Sequence, residues 1–275
     1  MRHGFSYNEI NGTLTLSVPS FDETGLCLTA FTTRKGGVSK PPLDTMNLGF
    51  GRGDERKAVL ENYRILGESL SFPHEKLIAF TQVHKNDVCV ATLADAGEAY
   101  LPEKREFDAV ITNIPNLPLA TYHADCVPVI LLDPKLKVCG VAHAGWRGTA
   151  LKVPSAAVLK MKEAFGSKPE NILAAIGPSI GKCCFECHAD VASAMAESYG
   201  EVANKYTTDH KNGKFHIDLA GLCAETLLEC GIRDNNITLS DECTFCKSDI
   251  FWSHRATGGV RGAMASIIML RGDIK

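Results

Sequence analysis

The sequence predicts an α/β protein in which mixed β-sheets are flanked by helices, and three observations carry that expectation. Short runs rich in β-branched residues crowd the middle of the chain: "LIAFTQV" (77–83), "DVCVATL" (87–93), "DAVITN" (108–113), "LPLATY" (117–122), "VPVILL" (127–132) and "KVCGVAH" (137–143), each bounded by turn residues. Segments of helical period stand between such runs. Strands outnumber helices and their connections vary in length, which favours a mixed sheet over a purely parallel one. With 275 residues, 45% apolar and 22% charged, the chain can bury a sizeable core, and we read it as one domain spanning 1–275.

Taken in order, "LCLTAFTT" (26–33) alternates as a strand should, and "RKGGVSKPP" after it is loop. Asp54 is placed as the N-cap of a helix that carries Val59, Tyr63, Leu66 and Leu70 on one face. Beyond Gly148, Leu151, Pro154, Val158, Met161 and Phe165 recur three and four apart, with Pro154 tolerated near the first turn. "NILAAIG" (171–177) reads as a strand and "VASAMAESYG" (191–200) as a helix. "FHIDL" (215–219) is a strand leading into a helix whose inner side holds Leu219, Leu222, Cys223, Leu227 and Cys230, and "MASIIML" (264–270) is a last strand.

A net charge of −3 gives no basic field for nucleic acid. The start, "MRHGFSYNEINGTLTLSV", lacks the basic-then-apolar pattern of an export signal, and no apolar run approaches the roughly 20 residues that span a bilayer. The expected location is therefore cytoplasmic, with no membrane partner. Eleven cysteines then read as reduced thiols rather than disulfides. Asn11-Gly12-Thr13 matches a glycosylation acceptor, which has no meaning in that compartment.

"VCGVAHAGWRGTA" (138–150) is a strand running to His143, a glycine turn and a helix start. Such a start offers free backbone N–H groups at the positive end of the helix dipole, and Arg147 adds a forked donor for phosphate or carboxylate. The alternative is an ordinary turn whose arginine pairs with a surface carboxylate. His84 in "FTQVHKNDV" and His123, Asp125 and Cys126 in "ATYHADCVPVILL" stand at the mouths of other strands. His84, Cys126 and His143 together supply two imidazoles and a thiolate, a set that suits Zn²⁺ with one position left open. A competing cluster is Cys183, Cys184, Cys187 and His188 with Cys243 and Cys246, where two C-x-x-C pairs suggest a structural zinc. Buried reduced thiols are the default reading of those cysteines.

"TTRKGGVSKPPLDTMNLG", "TQVH", "DAVIT", "HADCVPVILLD", "GVAHAGWRG", "IGPSIGKCCFE", "CTFC" and "FWSHR" occur in this order, and together they resemble the YfiH-type, or laccase-domain, family. The resemblance runs from about Thr32 to the C-terminus. It implies one layered α/β/β/α domain and a Zn²⁺ on His84, Cys126 and His143. It further implies phosphorolysis of adenosine, inosine and S-methyl-5'-thioadenosine, with adenosine deamination, although the family was first named for polyphenol oxidation with copper. Asn47, Gln82, Asp125 and Arg255 lie in the matched motifs with polar groups suited to a nucleoside. Asp108 is expected to orient neighbouring backbone, and Trp146 to pack at its turn. The C-terminal motif departs from the family pattern, having Arg261-Gly262-Ala263 where many members carry "TGR".

An open zinc position acidifies bound water to a pKa of about 7, which suits attack on an aminated purine carbon. Phosphorolysis instead needs phosphate held by cations near the sugar, for which Arg147 and Arg34 are the candidates. The alternatives are a copper-dependent polyphenol oxidase, a cysteine hydrolase with Cys126 as nucleophile and His143 or His84 as base, and a metal-binding module without catalysis.

Overall fold

The strands Val127–Asp133 and Val138–Ala144 form an antiparallel hairpin in which every residue is buried. Both faces are covered, which explains why "VPVILL" and "VCGVAH" read as continuous apolar runs rather than alternating ones. The structure, a computed structural model, describes residues 1–101 and 103–272. The hairpin sits inside a seven-stranded sheet in the order Arg2–His3, Ile237–Leu239, Leu173–Ile176, Val127–Asp133, Val138–Ala144, Ala109–Thr112 and Val88–Val90. Parallel and antiparallel pairs coexist in it. A second sheet is wholly antiparallel, ordered Ser6–Ile10, Thr13–Ser17, Cys27–Thr32, Met264–Leu270 and Leu119–His123. A small third sheet joins Glu186–Cys187, Phe215–Ile217 and Thr207–Asp209.

Strand alternation sorts the core into layers. Val129, Leu131 and Ala142 face Val158 and Met161 of the helix Val153–Phe165 and Leu222 and Leu227 of the helix Leu219–Glu229. Their neighbours Ile130, Leu132 and Val141 face Leu16, Phe31 and Ile268 of the five-stranded sheet. The far side of that sheet, Ala265, Ile267 and Met269, packs on Val59, Tyr63 and Leu66 of the helix Arg56–Leu70. The order is helix, sheet, sheet, helix, the α/β/β/α layering that the resemblance implies. The two sheets pack closely: a β-carbon on Gly177 would come within 2.1 Å of the Phe31 ring.

Several local expectations change. Asp54 does not cap the helix Arg56–Leu70, whose N-cap is Glu55; the Asp54 carboxylate accepts instead from Ser39 Oγ and Asn47 Nδ2. "LIAFTQV" forms isolated parallel bridges, Ile78 with Leu119 and Thr81 with Glu106, rather than a strand. "DVCVATL" is a strand only over Val88–Val90, after which a capping box at Thr92 and Asp95 turns the chain into a 3-10 helix. The helix beyond His143 is split into Trp146–Ala150 and Val153–Phe165, with Lys152 between them at φ +54°. The Ser6–Ile10 and Thr13–Ser17 hairpin was not anticipated. Its two-residue turn is Asn11-Gly12, both at positive φ, the residue pair that a tight hairpin favours. Among the described residues no helix is long and apolar enough to cross a membrane.

Candidate metal centre and its two cavities

The centre lies where the chain passes from one sheet to the other. Leu119–His123 belongs to the five-stranded sheet and Val127–Asp133 to the seven-stranded one, so Ala124, Asp125 and Cys126 are the crossing. Asp125 takes φ +92° there, an uncommon conformation for a side-chain-bearing residue, secured by Thr244 Oγ1 donating to its carboxylate at 2.6 Å and the Arg255 backbone N–H at 2.7 Å. The hairpin register sets Pro128 opposite His143 and Val127 opposite Ala144, which brings Cys126 and His143 to the same end of the pair.

His84 arrives on a third segment and is held by a carboxylate. Fully buried Asp108 accepts from the backbone N–H groups of Val83 (3.2 Å), His84 (3.0 Å) and Lys85 (2.7 Å). Asp108 also contacts His143 Nδ1 at 2.9 Å, which leaves His143 Nε2 for the centre. Its orienting of backbone was expected; its grip on His143 was not. His84, at φ +61°, places Nε2 4.0 Å from Cys126 Sγ, and the ligand atoms of His84, Cys126 and His143 all lie within 4.8 Å of one another.

Burial would raise the Cys126 thiol, but the His143 and His84 imidazoles outweigh it and bring the thiol down to about 6. Burial would lower His143, yet Cys126 and Asp108 push it up to about 9. Each group thus favours the charged form of the other, thiolate at Cys126 and imidazolium at His143. A β-carbon on Gly145 would meet His84 Cδ2 at 2.5 Å and Cys126 Sγ at 3.2 Å, so glycine keeps the space beside the donors open. That is what the turn in "HAGWRG" holds. Two nitrogen donors and one sulfur donor around such a space fit a thiophilic divalent cation such as Zn²⁺.

Two cavities meet at these donors. The first, about 460 Å³, is lined by His84, Cys126 and His143, by Gln82, Tyr122 and His123, and by the cations Arg52, Arg56, Lys104 and Arg261; no carboxylate is among its described lining residues. Burial, followed by the charge of Arg52, lowers Arg261 to about 10, and its Nε is buried without a hydrogen-bond partner among the described residues. Burial also lowers Lys104. His123 is 3% exposed, its two ring nitrogens lack partners among the described residues, and burial drives it down to about 3, so it is neutral. The second cavity, about 380 Å³, shares His84, Cys126, Arg52 and Arg261, and is otherwise walled largely by Trp146, Ile180, Phe185, Leu219, Asp125 and Arg255.

The other residues singled out from sequence divide. Gln82 lines the first cavity, but its amide is committed to the Tyr122 backbone, donating to the carbonyl at 2.7 Å and accepting the N–H at 2.6 Å. Asp125 and Arg255 line the second cavity, and Arg255 Nη1 donates to the Glu186 carbonyl at 2.9 Å. Asn47 is fully buried and spends its amide on Gly49, Asp54 and Ala263, lining neither cavity. Arg34 stacks 3.9 Å over Trp252 and donates to the Asp44 and Ser248 carbonyls, away from both cavities. Arg147 needs the larger correction. It is exposed and stacks 4.1 Å over Trp146, outside both linings, because the short helix Trp146–Ala150 turns it outward. Of the cations that line the cavities, Arg255 was named from sequence and Arg261 was noted only as a departure from the family motif, while Arg52, Arg56 and Lys104 were missed; Arg52, set between Gly51 and Gly53 in "GFGRGDE", carried a hint.

A four-layer α/β fold thus carries a candidate two-imidazole, one-thiolate centre at its sheet crossing. The family model described as multi-copper polyphenol oxidoreductase laccase matches residues 28–271, and the chain belongs to that family. The crystal structure of YlmD from Geobacillus stearothermophilus is similar, with a TM-score of 0.91 and 32% identity over 98% of this chain and 99% of that one. The crystal structure of the hypothetical protein YfiH of Bacillus licheniformis superposes with a TM-score of 0.90 at 30% identity, covering 96% and 99%. Among curated relatives, the purine nucleoside phosphorylase YfiH of Escherichia coli is 33% identical over 255 residues, 93% of this chain and 98% of its own length.

Proposed function

We propose that this chain is a zinc-dependent purine nucleoside phosphorylase acting on adenosine, inosine and S-methyl-5'-thioadenosine, with adenosine deamination as a second activity. The observation that carries the reading is the meeting of two unlike cavities at one donor set. Arg261, Arg52, Arg56 and Lys104 form a cationic wall without a carboxylate among the described residues, which suits phosphate. Trp146, Ile180, Phe185 and Leu219 give the adjoining cavity flat and apolar walls, which suit a purine and ribose. A bound Zn²⁺ supplies a Lewis acid at the junction. His84, Cys126 and His143 would hold it, and Asp108 fixes their orientation through His143 Nδ1 and the backbone at His84. The name purine nucleoside phosphorylase borne by relatives of full matching length supports the same activity. Inosine should give hypoxanthine and ribose 1-phosphate only with phosphate present, whereas adenosine should give inosine without it. Turnover of neither nucleoside by zinc-replete protein would defeat the proposal.

A second reading rests on one contact set. Cys126 paired with His143, and His143 with Asp108, is also the arrangement of a cysteine hydrolase, with the two imidazoles holding the thiol below its ordinary range. Chelation separates the two, since a thiol nucleophile survives removal of zinc and a metalloenzyme does not. A multicopper oxidase requires further imidazole clusters, and the other candidate metal cluster among the described residues consists of four cysteines.

A further inference from the structure

That second cluster lies outside the catalytic reading. Cys183 and Cys184 come from the loop after Ile180, and Cys243 and Cys246 from the loop after Ile237–Leu239. Their four sulfurs all lie within 4.8 Å of one another, with Cys184 Sγ 3.4 Å and Cys183 Sγ 3.8 Å from Cys246 Sγ. Zn–S bonds of about 2.3 Å set tetrahedral sulfurs about 3.8 Å apart, so four sulfurs within 4.8 Å of one another, one pair at 3.8 Å, are close enough to share one ion. We propose that Cys183, Cys184, Cys243 and Cys246 bind one Zn²⁺ as a structural ion distinct from the His84–Cys126–His143 centre.

Three features around the cluster support this. The two loops are registered by backbone: Ser179 N donates to the Glu242 carbonyl at 3.2 Å and Thr244 N to the Ser179 carbonyl at 3.0 Å. The Gly181 N–H donates to Cys243 Sγ at 3.3 Å, a contact that favours thiolate, and a β-carbon on Gly181 would reach within 3.2 Å of Cys183 Sγ. Finally, the grouping is selective. Cys187, which the C-x-x-C pattern pairs with Cys184, instead points its thiol at the Phe215 carbonyl, and adjacent Cys183 takes the fourth place. Cys27, Cys89, Cys139 and Cys223 are buried, whereas Cys183 and Cys246 are exposed, where an unoccupied thiol invites oxidation.

Binding releases the thiol protons to solvent and leaves four thiolates on one dication. The ion then ties together the wall of the second cavity. Thr244, between two of the donors, holds Asp125, while the Cys184 carbonyl accepts from Arg255 Nη1 at 3.5 Å and Phe185 lines the cavity directly.

The test is zinc stoichiometry on the full chain purified without added metal. Wild type should carry about two zinc ions, Cys126→Ser about one, and the double variant Cys243→Ser/Cys246→Ser about one that still needs Cys126. One zinc in wild type that vanishes in Cys126→Ser overturns the proposal, as does iron in place of the second zinc or a disulfide among the four cysteines. If the double variant does not fold, the readout moves to wild type reconstituted with Co²⁺. Thiolate-to-cobalt absorption several-fold stronger than one cysteine gives, and at least tenfold slower alkylation of Cys246 in the loaded protein than in the stripped one, support the site. Absorption accounted for by Cys126 alone, with Cys246 equally reactive in both states, overturns it.

Discussion

Gly145 sits so close to His84 that a single added methyl group would lie 2.5 Å from the imidazole Cδ2. The same methyl would stand 3.2 Å from Cys126 Sγ, so it intrudes on two of the three donors at once. Gly145→Ala should therefore displace His84 while leaving the layered core intact. We expect the zinc that depends on Cys126 to fall below half occupancy, with nucleoside turnover falling in parallel. Elemental analysis beside a thermal melt checks this. Full occupancy at wild-type activity would show that the loop carrying His84 yields freely.

Asp108 receives three backbone N–H groups and His143 on two oxygens. Asp108→Asn keeps the shape but turns one oxygen into a donor facing other donors. The expected loss is about 1–3 kcal/mol of stability and roughly 10–100-fold in zinc affinity. Competition against a chromophoric chelator measures the affinity and denaturant melts of metal-free protein the stability. An unchanged affinity would remove Asp108 from the support of the centre.

Arg261 and Arg147 make a paired comparison. Arg261 lines both cavities with a partly unsatisfied guanidinium, whereas Arg147 is stacked on Trp146 at the surface. Arg261→Met should raise the phosphate KM by about 10–100-fold, the worth of a charge-assisted contact, and slow adenosine deamination less. Arg147→Met should move the phosphate KM by less than about twofold. The reverse pattern would return the anion site to the start of the short helix.

The contact between sheets offers a stability test far from the chemistry. Gly177→Ala would drive a β-carbon to 2.1 Å from Phe31, an aromatic ring with no exposed surface. Overpacking of this kind costs about 1–3 kcal/mol, or roughly 2–12 °C in Tm for a chain of this size. Differential scanning calorimetry of the variant decides it, and an unshifted Tm would mean the sheets slide apart cheaply.

Much of the layering was legible in the sequence because burial on both faces leaves unbroken apolar runs, as in "VPVILL". Cys126 and His143 stood out because they flank such runs, and His84 because it follows a segment rich in apolar residues. What escaped notice depends on long-range docking. Arg56 and Lys104 become neighbours of the donors only when the sheets pack, so no local pattern marks them, and Arg261 stood out only as a departure from the family motif. Arg147 misled for the opposite reason: local context made it look like an anion anchor, and a five-residue helix with an adjacent indole turned it away. The Asn11-Gly12 turn was readable as a hairpin from its residue types and alternating flanks, but was noticed only as a glycosylation pattern. At the cysteines, C-x-x-C spacing suggested Cys187 where the fold selects Cys183.

The three donors come from separate chain segments, with Cys126 and His143 at one end of the same hairpin and His84 on a third segment, and they meet at the crossing between sheets. A chain still emerging from the ribosome beyond His143 already has all three ligands, yet it lacks Met264–Leu270, the strand that joins Leu119–His123 to the rest of its sheet. A metal held by these donors would therefore bind to the assembled sheets. Ligand that binds the finished fold and not its precursors adds to stability by mass action, about 2.7 kcal/mol at a hundredfold excess over Kd. On the proposed reading, zinc would thus contribute to the stability of the fold as well as to turnover.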